Sequence, residues 1–294
     1  MGDDFRPANK SGLFARHGNT IIISVLAAVT LVVGVLSVRQ THPELLSGLF
    51  GTGPGPAVAA VPVPLTPTVD LAHPFAGTAV EGWADGEAGI VAPTAAPLAG
   101  FTRAQVADAL DRARRALISA RIDPRVLHGT DVGLLVDQFA APKRAEVLAS
   151  PHLRTAIAEG STLLEGVPVK ATGTMSVHAG RRGELIIDMN HSFAYAFTPR
   201  DRAVPAGPMQ IISVVRAQSQ YGFYGLADWP GVGRGLIPLD HSRFFYSMSC
   251  SAAVRGYLAP ADAERVNPGG ATPEEDRKRI FDPSLPMPDP KGTC

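Results

Sequence analysis

The spacing of hydrophobic positions changes character several times along this chain, and each change predicts a different kind of element. Residues 21–38, IIISVLAAVTLVVGVLSV, form a run without a charge. As a helix it would extend about 27 Å, most of a bilayer's hydrocarbon core. Ser24, Thr30, Gly34 and Ser37 are its mildest interruptions, and a hydroxyl there can bond the carbonyl one turn back. The run has no polar stripe such as a core helix shows. It predicts a transmembrane helix over residues 20–38, after a tail of residues 1–19.

Residues 39–100 lose all periodicity and become rich in Gly, Pro and Ala. Pro54, Pro56, Pro62, Pro64, Pro67 and Pro74 forbid a regular helix and favour extended geometry, which predicts a stalk. Phe75 and Trp83 are costly to leave in water, so the later stalk is expected to dock on the domain or on a partner.

Helical period begins at residue 101. Thr102 with Gln105 reads as a capping box. Val106, Leu110, Ala113 and Leu117 then make one apolar face, and Asp108–Arg112 and Asp111–Arg115 pair on the other. The helix should stop before Asp123-Pro124. Shorter helices follow: one capped by Asp131 and carrying Val132, Leu135 and Phe139, one with Pro142 in its first turn and Val147 and Leu148 inward, and one opened by Pro151 and ended by Gly160.

The period then falls to two. Val169, Ala171, Gly173, Met175 and Val177 alternate with Lys170, Thr172, Thr174, Ser176 and His178. After a turn at residues 179–183, Leu185, Ile187, Met189, His191, Phe193, Tyr195 and Phe197 share a face. This predicts a long hairpin, followed by strands over residues 209–224 and 236–250 joined by a Gly-rich loop. Strands in sequence with short links argue an antiparallel sheet. The fold class expected is therefore α+β: transmembrane helix, Pro/Ala-rich stalk, then helices packed on a four-stranded antiparallel sheet over residues 101–260. In residues 261–294, acids then bases around Glu275 and Lys278 suit a short helix, and the rest is an extended strap.

Charge settles orientation and excludes one class of partner. Arg6, Lys10 and Arg16 precede the apolar run, while Arg39 alone closely follows it, so the tail is expected in the cytoplasm and the body outside. A cleaved signal peptide would have a shorter apolar region with a small-residue site immediately after it. Here Arg39 to Glu44 follow, and Ala57-Val58-Ala59 lies too far on. The expectation is an uncleaved single-pass anchor whose partners are the lipid bilayer and an envelope protein or polymer. With a formal net charge of +0, nothing points to nucleic acid. Arg far outnumbers Lys and Ala, Gly, Pro and Val abound, a high-GC composition of actinobacterial type. The two cysteines, Cys250 and Cys294, both fall on the exported side and are expected to form a disulfide. It would close a loop of roughly forty residues, worth about 3–4 kcal/mol in the chain-entropy model.

Candidate chemistry is sparse. His191, with Asp188 and Asn190 near it and Asp240-His241 on the last strand, is the best polar constellation. Were those strands neighbours, two imidazoles and a carboxylate could hold a metal or move a proton. Asp188 and His191, three apart, must however point to opposite faces, and a histidine at the rim of an apolar face, bonded to backbone, is the plainer reading. Trp229, at the loop tip, is a candidate recognition aromatic or a plug beneath its own loop. Gly231, Gly233 and Gly235 superficially match a phosphate cradle, but no helix follows. No G-x-S-x-G, S-x-x-K, C-x-x-C or H-E-x-x-H occurs, and no cofactor is expected.

Helices first and a long antiparallel sheet afterwards resemble the cystatin-like superfamily, including cone domains of the nuclear-transport-factor-two type. With a stub and one membrane helix ahead, the layout is similar to inner-membrane scaffold proteins of type IV secretion and to actinobacterial transport-associated membrane proteins. The resemblance covers residues 101–258 and rests on element order, so it assigns no site residue. It implies a membrane-tethered scaffold or interaction module at the cell envelope, in a secretion or transport assembly. The alternative is a pocket that binds a small ligand or acts as an enzyme through His191 and Asp240. A more distant one is suggested by Cys250 with Arg255 downstream and a histidine upstream, which resembles the sortase transpeptidases.

Overall fold

The long hairpin forms the middle of a five-stranded, wholly antiparallel sheet in the order β1-β2-β3-β4-β5: β1 Ala84–Asp85, β2 Lys170–Ala179, β3 Glu184–Ala196, β4 Ile212–Tyr224 and β5 Leu236–Tyr246. This computed structural model describes residues 69–200, 207–225, 227–264 and 272–288, all within the unit Pro64–Cys294. The expected tail, membrane helix, early stalk and Cys294 lie outside the described residues. Among the described residues no helix is long and apolar enough to cross a membrane.

The helical layer follows its sequence signals at its start, but the helix expected from Pro151 to Gly160 is only a three-residue 3-10 turn, Pro151–Leu153. Helix α1, Arg103–Arg121, starts at the Thr102–Gln105 capping box. It buries Val106, Ala109, Leu110, Ala113, Ala116, Leu117 and Ala120. Four alanines on that face let the helix axis approach the sheet closely, against Leu185, Ile187, Met189, Phe193 and Tyr195. Arg112 pairs with Asp108 at 3.1 Å on the solvent side, and Arg115 pairs with Asp111 beside them. Three short helices follow: α2 Pro124–Leu127, α3 Gly133–Val136 and α4 Arg144–Ala149. Asp131 makes no cap there; Val132 precedes α3 without a side-chain bond. Leu148 turns outward, 57% exposed, while Val147 is buried. A six-residue helix has one inward stripe, and the two neighbours cannot share it.

The sheet has five strands where four were expected, because the would-be stalk contributes one. Ala84 pairs with Ala171 and Asp85 with Lys170. Two residues are too few to show alternation, so β1 was invisible in the pattern. The contact continues through Gly89, where a Cβ would lie 2.2 Å from the Ala171 carbonyl oxygen; only glycine permits that approach. Phe75, Val80 and Ile90 are all buried. Residues 69–100 are thus part of the folded body, and the docking expected of Phe75 and Trp83 is onto the domain itself.

They cover the sheet's second face. On it Ala194, Ala196, Ile212, Val214 and Phe244 meet Phe75, Val80 and Ile280. Ile280 belongs to a C-terminal helix, Glu274–Phe281, beyond the short helix α5 at Cys250–Val254; we number it α6. Trp83 and Tyr246 both pack on Phe281, ring centroids 6.2 and 5.5 Å away. One half of β3 is therefore buried on both faces, from His191 through Ala196.

Polar anchors fix the C-terminal segment in place. Arg216, 0% exposed on β4, donates to the carbonyls of Arg279, Asp282, Pro283 and Leu285 and, at 3.0 Å, to Asn190 Oδ1. Asn190 in turn donates to Pro283 O at 2.6 Å, and Ser192 to Ile280 O at 2.6 Å. These side chains hold the orphan carbonyls at the end of α6, where a cation also suits the helix dipole.

Candidate functional site

Strand register decides which candidate residues can meet. His191 pairs with Ala217 of β4 and, across it, with Arg243 of β5. Asp240 pairs with Gln220 and through it with Asp188; His241 pairs with Ser219 and through it with Met189. Odd-numbered positions of β3 face α1, so His191 and His241 share that side while Asp188 and Asp240 face away. Strand β4 separates β3 from β5, and a strand spacing of about 4.8 Å with a rise of about 3.3 Å per residue puts the His191 and Asp240 backbones roughly 14 Å apart. The expected two-imidazole and carboxylate constellation does not form. Among the described residues no group of three His, Cys, Asp or Glu could hold a metal ion.

His191 is instead a core residue. It is 0% exposed, its ring is stacked 6.2 Å from Phe193, and neither ring nitrogen has a hydrogen-bond partner. Gly173 lies over it: a Cβ there would stand 2.4 Å from the imidazole. Burial pulls the imidazole down to about 4, so it is neutral near pH 7. Asp188 goes to the outer face as expected, pairing with His178 at 3.0 Å and accepting from Gln220 at 2.8 Å. Asp240 accepts from the His241 backbone N–H at 2.8 Å.

Cys250 is buried at the start of α5, behind a Ser249 cap, rather than at the end of a strand. Tyr246 ends β5, and the positive φ of Ser247, 54°, turns the chain away. Arg255 ends α5 on the exposed side. Cys294, its expected disulfide partner, lies outside the described residues.

Trp229 has the clearest setting for a functional role. Its ring meets Tyr224 edge to face, centroids 5.2 Å apart, and its indole N–H donates to Arg182 O at 2.8 Å. The two aromatics wall a groove of about 690 Å³ on the sheet face away from α1. Ile186, Ile237 and Leu239 line it, and Lys143 and Arg181 stand at its rim. Leu239 is 40% exposed there, an unusual position for a leucine. A register shift between Gln220 and Tyr221 against β5 gives the groove its shape. Such bulges re-aim side chains at sheet edges. Glu184, also in the groove, accepts from the Tyr224 hydroxyl at 2.6 Å and the Arg181 N–H at 2.7 Å. Burial, and then the bond to Glu184, hold the Tyr224 hydroxyl up at about 12, while for Glu184 burial pushes upward and the bonds from Tyr224 and Arg181 outweigh it and tie the carboxylate down. Among the described residues that line this groove, no nucleophile and base converge.

The chain matches no known protein family model, no curated protein and no solved structure. Function must therefore be argued from the site alone.

Proposed function

We propose that this chain is a membrane-tethered, extracytoplasmic interaction module of the cell envelope. Its groove beside Trp229 receives a short segment of a partner protein that carries an apolar side chain. The observation that carries this reading is the groove's make-up: an apolar floor of Ile186, Ile237 and Leu239 between two aromatic walls. An aliphatic side chain fits that floor, and the charges around it are balanced, Lys143 by Glu146 at 2.6 Å and Arg181 beside Glu184. The tether rests on the charge-free run at residues 21–38 and the cations before it. A role in a secretion or transport assembly follows from the layout that the chain resembles.

A photo-crosslinking amino acid placed at Leu239 in the full chain tests the groove, with the same probe at Val254, 81% exposed, as the control. A discrete envelope-protein adduct from position 239, absent from 254 and lost with Trp229→Ala, is expected. Equal labelling from both positions, or an adduct indifferent to Trp229→Ala, would overturn the groove reading.

Orientation has its own check. Protease added to intact spheroplasts should digest the body while sparing an epitope fused before Met1. Survival of the body there would reverse the topology. In the same exported material, non-reduced peptide maps should join Cys250 to Cys294, and two alkylatable thiols would remove the proposed strap.

A further inference from the structure

The α1 side of β5, opposite to the Trp229 groove, carries a group of four basic side chains, Arg121, Arg243, His152 and His241, without an acid among them. Arg121 ends α1 and is 1% exposed. Its guanidinium donates to Thr155 Oγ1 at 3.2 Å and to His152 O at 2.9 Å. Arg243, from β5, donates to Pro151 O at 2.8 Å and lies 4.7 Å over the Phe245 ring. The same guanidinium reaches the Arg154 carbonyl at 3.5 Å. His152 and His241 face each other with ring centroids 5.9 Å apart.

These groups feel one another. Burial pulls the His152 imidazole down, and Arg243, His241 and Arg121 push it further. Burial pulls Arg243 down to about 10, with Arg121 adding to the effect. Among the described residues none of the four makes an ion pair with a carboxylate. Asp240, next to His241 in sequence, sits on the opposite sheet face. One donor in the group is also unspent: Arg121 Nε is buried with no partner. Like charges gathered at a half-buried edge, with a guanidinium N–H left over, are the arrangement that an anion completes. The chain is neutral overall, so this is a local feature and not part of a generally basic surface.

We infer that Arg121, Arg243, His152 and His241 form a binding site for a phosphate-type oxyanion at the edge of β5. Guanidinium forks match the tetrahedral oxyanion in pairs, and the two imidazoles offer N–H donors at the open side. The oxyanion is carried either by a soluble phosphate or by the headgroup of an anionic phospholipid, the second being within reach of a tethered domain. The site stands on different residues from the Trp229 groove, so either can fail without the other.

The test uses the full chain in neutral detergent, titrated with sodium phosphate and, at matched ionic strength, sodium chloride. Phosphate should raise the melting temperature saturably where chloride does not. It should also move the imidazole NMR signals of His152 and His241 while leaving His178, on the far face, unchanged. Arg243→Gln, which keeps an N–H for the Pro151 carbonyl, should weaken phosphate binding about tenfold or more. His241→Gln gives the same comparison if that variant does not fold. Phosphate and chloride acting alike, or unchanged affinity in the variant, would overturn the site. Reconstitution in phosphatidylcholine vesicles with and without phosphatidylglycerol separates the sources: loss of the phosphate response only with phosphatidylglycerol assigns the lipid, and its persistence assigns a soluble anion.

Discussion

Replacing Arg216 with leucine should cost the domain about 3–5 kcal/mol of stability, the range for removing one member of a buried, fully bonded polar network. The side chain is 0% exposed and serves four backbone carbonyls of residues 279–285. Leucine would bury those carbonyls without donors and leave the end of α6 uncapped. Burial pulls the guanidinium down and Asp282 offsets part of that, so the charge is tolerated because the strap surrounds it. Arg216→Lys, which keeps the charge but loses the fork, should fall between. Urea denaturation measures the loss, and limited proteolysis should show cleavage near Phe281 before the sheet opens. An unchanged midpoint in Arg216→Leu would mean that α6 is held by its apolar contacts with Phe75 and Val80 alone.

Acid should destabilise this protein through one residue more than any other. His191 has a folded-state value of about 4 against an ordinary 6.5. Above pH 6.5 the ring is neutral in both states and costs nothing by this route. As pH falls from 6.5 toward 4, the unfolded chain takes up the proton and the folded one does not, so stability declines with pH. The whole window between 6.5 and about 4 is worth about 3.5 kcal/mol, at about 1.4 kcal/mol for each tenfold change in proton concentration. The residues beside it in the sheet, Gly173, Phe193 and Ala217, offer no carboxylate to rescue the imidazolium. His191→Phe should flatten the slope of stability against pH between 6.5 and 4, whatever it does to the absolute value at pH 7. Equal slopes in the two proteins would show that the imidazole finds a partner in the folded state.

The unpartnered ring is a specific departure from good packing. A neutral imidazole still carries one N–H, and leaving it unbonded costs free energy. Gly173 and Ala217, small residues on either side, leave the ring room between strands that apolar side chains otherwise fill. The sequence put His191 correctly on the apolar face with Leu185 through Phe197. It could not tell rim from centre, because that depends on how far α1 extends over the sheet.

The residues that proved most consequential had weak signals or none. Arg216 interrupts ISVVRAQS, an otherwise plain strand, and a charge at an alternating position reads as solvent-facing. It is buried because residues 272–288 return across that face, a contact more than sixty positions away in sequence. The four basic groups at β5 come from α1, from the turn Pro151–Leu153 and from β5. No spacing rule unites positions so far apart. Trp229 stood out as an aromatic in a Gly-rich loop, yet its partner Tyr224 and the exposed Leu239 needed the register of β4 on β5 to make a wall and a floor.

Local chemistry determined what needs only neighbours along the chain. The capping box at Thr102, the apolar face of α1, the pleat of β2 and β3 and the helix at residues 274–281 are all short-range periodicities. Those fix φ and ψ before any distant contact forms. Which faces were buried twice, that residues 69–100 join the body, and which polar groups meet were decided by closure of the sheet. Those outcomes depend on strand order and register, whose free energy comes from pairing and burial between segments that carry no mark of one another.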